Sequence, residues 1–292
     1  MKPKTKLLWI NALSCNGDAH SFLNYPFLER FLENFEFIYH PVIDSDYSLE
    51  DIATKDIDCD ILLIDGTIND SLEKAGVPIV DIIEKYGQKA DKILTIGTCA
   101  SFGGIFLQSC KEGYGFQFKN ENRYNKFQHF RKKTINISGC PIHPKILVNT
   151  LHQIRNGMDI KLDEMLRPKE FYAYTVHNGC IRNEYFEYKI DNHKFGNLEG
   201  CMFYDHGCQA PFTHGSCNKI LWNEINSKTA AGHPCLGCTE PTFPRENLFV
   251  TKKNMGIPEK LPLGIAKRTY LTFAGIAKAF KINRLEKKLF DD

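Results

Sequence analysis

The chain has 292 residues, of which 42% are hydrophobic and 25% charged, enough material for one large domain or two ordinary ones around a buried core. A formal charge of +2 sets up no field that argues for nucleic acid or an anionic membrane as a partner. No apolar run approaches the roughly eighteen residues that an integral membrane segment needs. The N-terminus, from Met1 to Ile10, passes straight into a strand pattern without a twin-arginine pair or a cleavage-site pattern, so a cytoplasmic location is expected.

In chain order, the first apolar strand is Leu7–Ile10, followed by Ser14-Cys15-Asn16-Gly17-Asp18. Helical spacing over Ser21–Phe35 leads to strands at Phe35–Ile43 and Ile61–Ile64, then to a helix at Pro78–Gly87. The strand Lys92–Ile96 runs into Gly97-Thr98-Cys99-Ala100-Ser101, and Thr134–Ile137 runs into Ser138-Gly139-Cys140-Pro141, with a helix at Pro144–Arg155. This alternation predicts an α/β domain over residues 1–160, a mostly parallel sheet with helices on both faces. From 161 to 265 the periodicity fades while glycine, proline, histidine and cysteine accumulate, so an irregular domain stabilised by bound metal is expected there. Residues 266–292 carry a basic helical pattern around Ile276–Leu289, read as a docking tail.

Eleven cysteines cannot all pair, and in a reducing compartment such a number points to metal ligands. Cys15, Cys99 and Cys140 each lie just past the carboxyl end of a predicted parallel strand, the edge where open α/β sheets build ligand sites. Three soft thiolates arriving from three loops suit an iron–sulfur cluster. The glycine-rich stretches Gly66–Gly76 and Gly97–Gly104 lack the phosphate-cradling pattern, so a nucleotide site has no support. Six further cysteines fall between positions 180 and 238 in two groups. His177, Cys180, Cys201 and Cys208 would suit zinc or a cluster. Cys217, Cys235 and Cys238 match a three-iron cluster better than a closed tetrahedral site, although His214 or His233 could complete a zinc set.

Taken together, these motifs resemble the small subunits of nickel–iron hydrogenases from about Leu7 to Pro244. The resemblance is carried by Ser14-Cys15-Asn16-Gly17 with Ser21-Phe22-Leu23-Asn24, by Gly97-Thr98-Cys99-Ala100, and by Gly139-Cys140-Pro141. It continues through His177-Asn178-Gly179-Cys180, Cys201 with Gly207-Cys208, and Ala231-Gly232-His233-Pro234-Cys235-Leu236-Gly237-Cys238-Thr239-Glu240-Pro241. The resemblance implies a flavodoxin-like first domain holding a proximal 4Fe–4S cluster on Cys15, Cys99 and Cys140. It also implies a second domain holding a distal 4Fe–4S cluster on His177, Cys180, Cys201 and Cys208, and a medial 3Fe–4S cluster on Cys217, Cys235 and Cys238. Cys59 and Cys110 match no ligand position.

The chain departs from the family pattern in two places. The distal cysteines are 208 − 201 = 7 apart, one residue more than usual. At the proximal site Cys-x-x-Cys becomes Cys15-x-x-Asp18, as in some cytoplasmic uptake or sensor-type members. Asp18 either ligates iron through oxygen or caps the following helix, and without it the proximal cluster would be of the 3Fe–4S type. The function implied is to relay electrons from dihydrogen oxidation at a partner large subunit, which carries the nickel–iron centre, to a downstream protein or quinone. The assembly expected is a heterodimer or a higher oligomer of it. A hydrogen-sensing regulatory complex and a zinc-stapled scaffold are the alternatives.

Overall fold

The structure, a computed structural model, describes residues 3–188 and 190–244 together with positions 269, 272, 273 and 276. The tail helix expected over 266–292 therefore lies almost wholly outside the described residues. No helix among the described residues is long and apolar enough to cross a membrane.

Five parallel strands form the central sheet: β1 (Thr5–Asn11), β2 (Phe35–Tyr39), β3 (Ile61–Asp65), β4 (Lys92–Ile96) and β5 (Thr134–Ile137), in the order β2-β1-β3-β4-β5. This is the flavodoxin-like doubly wound order. Successive side chains alternate between faces, so β1 to β4 each feed two cores, while Ile135 and Ile137 of β5 feed one. Leu7, Trp9, Leu63, Leu94 and Ile137 pack on one side against Ala19 and Phe22 of helix α1 (Gly17–Leu23), Phe31 of α2 (Leu28–Leu32), and Ile146, Leu147 and Leu151 of α6 (Pro144–Arg155). Leu8, Ile10, Leu62, Ile64 and Ile93 pack on the other side against Ile52 of α3 (Leu49–Thr54) and Ile79, Ile82, Ile83 and Tyr86 of α4 (Ile79–Lys89). Burial on both faces explains why the strands read as unbroken apolar runs.

Two expected elements differ. The helix read over Ser21–Phe35 is broken into α1 and α2, because Asn24-Tyr25-Pro26 intervenes and proline cannot continue a helical ladder. The strand read to Ile43 stops at Tyr39, where the His40 ring accepts the N–H groups of Val42 (3.1 Å) and Ile43 (3.2 Å) and turns the chain.

The strands also end together. Asn11 pairs with Asp65, Asp65 with Ile96 and Ile96 with Ile137, one register row across the sheet. Cys15, Cys99 and Cys140 follow that row by 15 − 11 = 4, 99 − 96 = 3 and 140 − 137 = 3 residues, and so emerge from the same edge. The short helix α5 (Gly97–Phe102) carries Cys99.

Beyond α6 the elements shrink to single turns: α7 (Lys169–Tyr172), a 3₁₀ turn at Val176–Gly179, α8 (Asn183–Tyr188), α9 (Phe203–His206) and a 3₁₀ turn at Ala210–Phe212. Their core is Val176, Met202, Cys208, Ala210 and Cys235, with Cys217 against it. Thiols thus take the place that aliphatic side chains hold in the sheet.

Leu63, fully buried on the central strand, anchors one of the two cores. Leu63→Ala is expected to cost about 2–5 kcal/mol, read as a lowered midpoint in denaturant titration followed by circular dichroism.

Candidate metal centres

At the carboxyl edge of the sheet, Asn16 adopts a left-handed conformation (φ 59°) that turns the β1 loop into α1. Cys15 stays exposed there, its sulfur accepting the Gly17 N–H at 3.4 Å. Asp18, in the first turn of α1, is buried. Its Oδ1 accepts the Ile142 N–H at 2.7 Å, while the Ser21 hydroxyl donates to the Ile142 carbonyl at 2.7 Å. Helix α1 is thereby stapled to the loop that carries Cys140. Gly97 makes room for this carboxylate: at φ +84° a Cβ there would stand 2.0 Å from Asp18 Oδ2. Burial pushes the Asp18 carboxyl well above the usual range and the charge of Asp65 adds to it, against the Ile142 N–H, which lowers it. Burial also pushes Cys99 up to about 11, with the charges of Asp18 and Cys15 contributing. Cys140 rises to about 12, through burial first and then the charges of Cys238, Cys99, Asp18 and Cys15. The four residues that the sequence assigns to this group thus lie at one edge of the sheet, near enough for their charges to act on one another.

Cys217, Cys235 and Cys238 line a largely apolar cavity of about 410 Å³, and Cys140 reaches its wall from the sheet side. Burial raises Cys217 to about 12, with Cys235 and Cys238 adding. Cys235 is likewise raised to about 12, by burial and then by Cys208 and Cys238. His214 is held by Glu240, whose Oε1 meets both its backbone N–H (2.6 Å) and its ring Nδ1 (3.2 Å). His233 Nδ1 meets the Pro234 carbonyl at 2.7 Å.

In the third group, Cys208 is raised to about 12 by burial, then by the charges of Cys201 and Cys180. Cys201 is raised to about 11 by burial, with Cys180 among its charged neighbours. His177 lies in the 3₁₀ turn that precedes Cys180, its carbonyl accepting the Cys180 N–H at 3.0 Å, while its ring packs edge-on against Phe186 at 4.6 Å. Among the described residues no three His, Cys, Asp or Glu donors converge on one point as a single ion requires. Cys59 is buried in the sheet core, and Cys110 accepts from the Asn69 amide at 2.9 Å, so neither joins a group.

Several residues that order these groups carry no motif of their own. Arg167 is buried and binds Asp163 Oδ2 (2.8 Å), the Thr239 carbonyl (3.0 Å) and Glu240 Oε1 (3.3 Å), bracing the Cys238 loop. Arg182, also buried, donates to the carbonyls of Thr229 (2.6 Å), Gly200 (2.7 Å) and Asn197 (2.5 Å), tying the Cys180 and Cys201 loops together. Nothing local marks either arginine.

Similarity to known proteins follows the same division. Residues 172–250 match the C-terminal family of NiFe/NiFeSe hydrogenase small subunits, and residues 15–154 match the family of the NADH ubiquinone oxidoreductase 20 kDa subunit. The periplasmic NiFe hydrogenase small subunit of Solidesulfovibrio fructosivorans is 39% identical over 173 residues, 58% of this chain and 52% of that one, so the match spans about half of that relative. The periplasmic NiFe hydrogenase small subunit 1 of Nitratidesulfovibrio vulgaris is 31% identical over 258 residues, 82% of this chain and 80% of that one. Among solved structures, the actinobacterial-type NiFe-hydrogenase from Ralstonia eutropha H16 has a similar fold, with a TM-score of 0.73 at 23% identity over 95% of this chain and 91% of that one.

These relatives correct one expectation. Both sequence relatives are periplasmic proteins, which overturns the cytoplasmic location read from the N-terminus. The physical reason is that a strand-forming stretch reports local folding and carries no address. Buried thiols with raised pKa values are poor nucleophiles and resist pairing in either compartment.

The Gly97–Asp18 contact can be tested against a second left-handed glycine. Gly97→Ala is expected to lose on the order of 1–3 kcal/mol from backbone strain and more from displacing Asp18. Gly76→Ala, at φ +73° with nothing within 4 Å of its Cβ, incurs the strain alone. Equal losses in denaturant titration would contradict the contact.

Proposed function

The chain belongs to the small-subunit family of the nickel–iron hydrogenases, and on that premise we propose that it relays electrons between a partner large subunit and an external acceptor. The family places it as one chain of an oxidoreductase complex. The dihydrogen-cleaving nickel–iron centre would sit on the partner, since this chain has no motif resembling that centre's ligands. The first region, residues 1–160, would carry the proximal cluster at the sheet edge, and residues 161–265 the medial and distal ones.

Cys15, Cys99 and Cys140 would hold the proximal cluster, with Asp18 as the fourth donor. Cys217, Cys235 and Cys238 would hold the medial one, and His177, Cys180, Cys201 and Cys208 the distal one. Iron–sulfur clusters, when bound, supply centres that take up and give back one electron at a time. The residues present fit that demand. Six thiols raised by burial to about 11 or 12 would stay protonated alone, whereas bound iron supplies the positive charge that favours thiolates.

The observation that carries the proposal is continuity. Cys140 and Cys238 share a cavity wall, and the Cys235 N–H donates to Cys208 Sγ at 3.3 Å. These contacts support an order proximal to medial to distal, as an electron relay requires. Asp18 fits as an oxygen donor because only its Oδ1 is committed, to Ile142.

Two measurements test this reading. Complex purified without oxygen is expected to hold on the order of ten to twelve irons in this chain. Stoichiometric zinc with fewer than about four irons would overturn it. For Asp18, the Cys variant is expected to keep the proximal cluster with an altered potential and paramagnetic spectrum, and the Ala variant to favour a three-iron form. A proximal signal unchanged in Asp18→Ala would confine Asp18 to holding Ile142.

A further inference from the structure

Thr98 is 1% exposed and lies between two cysteine loops of the sheet edge and one of the irregular region. Its backbone N–H donates to the Gly139 carbonyl at 2.9 Å, and its hydroxyl accepts the Gly139 N–H at 3.0 Å. The hydroxyl proton is then given to the Cys238 carbonyl. Both roles of the hydroxyl are used. Thr98 precedes Cys99 and Gly139 precedes Cys140, so a single side chain joins loops bearing three thiols of two different groups. One step along the same seam, the Ser138 hydroxyl donates to the Thr239 carbonyl at 2.8 Å. Between these two bonds Cys140 and Cys238 face one cavity, and among the charges that raise Cys140 the largest contribution is from Cys238.

We infer that Thr98 is a positioning residue for electron transfer between the proximal and medial groups: its hydroxyl clamps the Cys140 loop to the Cys238 loop and sets the gap between them. The inference rests on the cluster assignment proposed above. In the step concerned one electron passes from the proximal to the medial group, which is reduced by one as the other is oxidised, and no bond or proton is exchanged. What the protein contributes is spacing and orientation. Valine has the shape of threonine without the hydroxyl, so Thr98→Val leaves a buried N–H and a buried carbonyl without their partner and loosens the seam. Thr98→Ser keeps the hydroxyl and removes only a methyl group.

The experiment uses the purified complex with its partner subunit. Iron content is measured first, then rapid-freeze paramagnetic resonance after mixing with dihydrogen times the reduction of the medial group against the proximal one. Thr98→Val is expected to keep its iron and to lengthen that delay on the order of tenfold, the factor by which losing a buried hydrogen-bond partner shifts a local equilibrium. Its dipolar coupling between the two groups should weaken, and Thr98→Ser should stay within about twofold of the parent. A Thr98→Val delay equal to that of the parent overturns the inference, as does a Thr98→Ser chain as slow as Thr98→Val. If Thr98→Val fails to assemble, Ser138→Ala severs the parallel bond to Thr239, and an unchanged delay there overturns it equally. A parent complex without iron would instead sink the cluster assignment itself.

Discussion

Both backbone polar groups of Ile142 are taken by helix α1, the N–H by Asp18 and the carbonyl by Ser21. That staple joins the loop after β5 to the helix after β1 across the face of the sheet. Burying a carboxylate is costly unless hydrogen bonds compensate, and one N–H compensates only in part, since the Asp18 carboxyl remains well above its usual range. The packing is accommodated locally by a glycine at position 97 and by a left-handed Asn16. With the staple in place, the loops of Cys15, Cys99 and Cys140 have fixed relations to one another. Asp18 therefore has a structural task independent of any bond to iron.

The region beyond α6 rests on different physics. Its core contains Val176, Met202 and Ala210 beside Cys208 and Cys235, too little aliphatic surface to order so many single-turn elements. Two buried arginines supply part of the order. Arg167 holds the Cys238 loop with help from Asp163 and Glu240, and Arg182 gathers carbonyls from two separate stretches, 197–200 and Thr229. A guanidinium presents several donors in a fixed fork, which suits it to collecting loop carbonyls that no ladder satisfies. Bound metal would supply the rest of the stability, because ligand bonds formed only in the folded chain add directly to folding free energy.

The two regions meet along a seam of hydroxyl-to-carbonyl bonds beside an apolar contact in which Phe171 and Tyr172 pack into the core that holds Ile146 and Leu147. Thr98 and Ser138 come from the sheet edge, and their acceptors belong to Cys238 and Thr239. Tyr172 closes the seam from below by donating to the Ser138 carbonyl at 2.7 Å, with Arg167 over its ring at 5.2 Å. Short directional bonds of this kind fix register between loops, which a slippery hydrophobic contact does not.

By itself the sequence determined the parallel sheet, since buried parallel strands read as continuous apolar runs and the helices between them carry their own period. It also carried the expectation of thiol donors, because Cys15, Cys99 and Cys140 follow strand ends and the later cysteines fall into two sets. Pro26 was legible as a breaker too, yet the helical spacing on either side of it suggested one helix where there are two. The tertiary structure alone decided which loops touch. Asp18 meets Ile142 across 124 residues, Ser138 meets Thr239 across 101, and Thr98 meets Cys238 across 140. Local pattern reports secondary structure because it depends on neighbours in the chain. Contacts between distant hydroxyls, carbonyls and a buried carboxylate depend on how the sheet edge and the irregular region close on each other, and no periodicity encodes that closure.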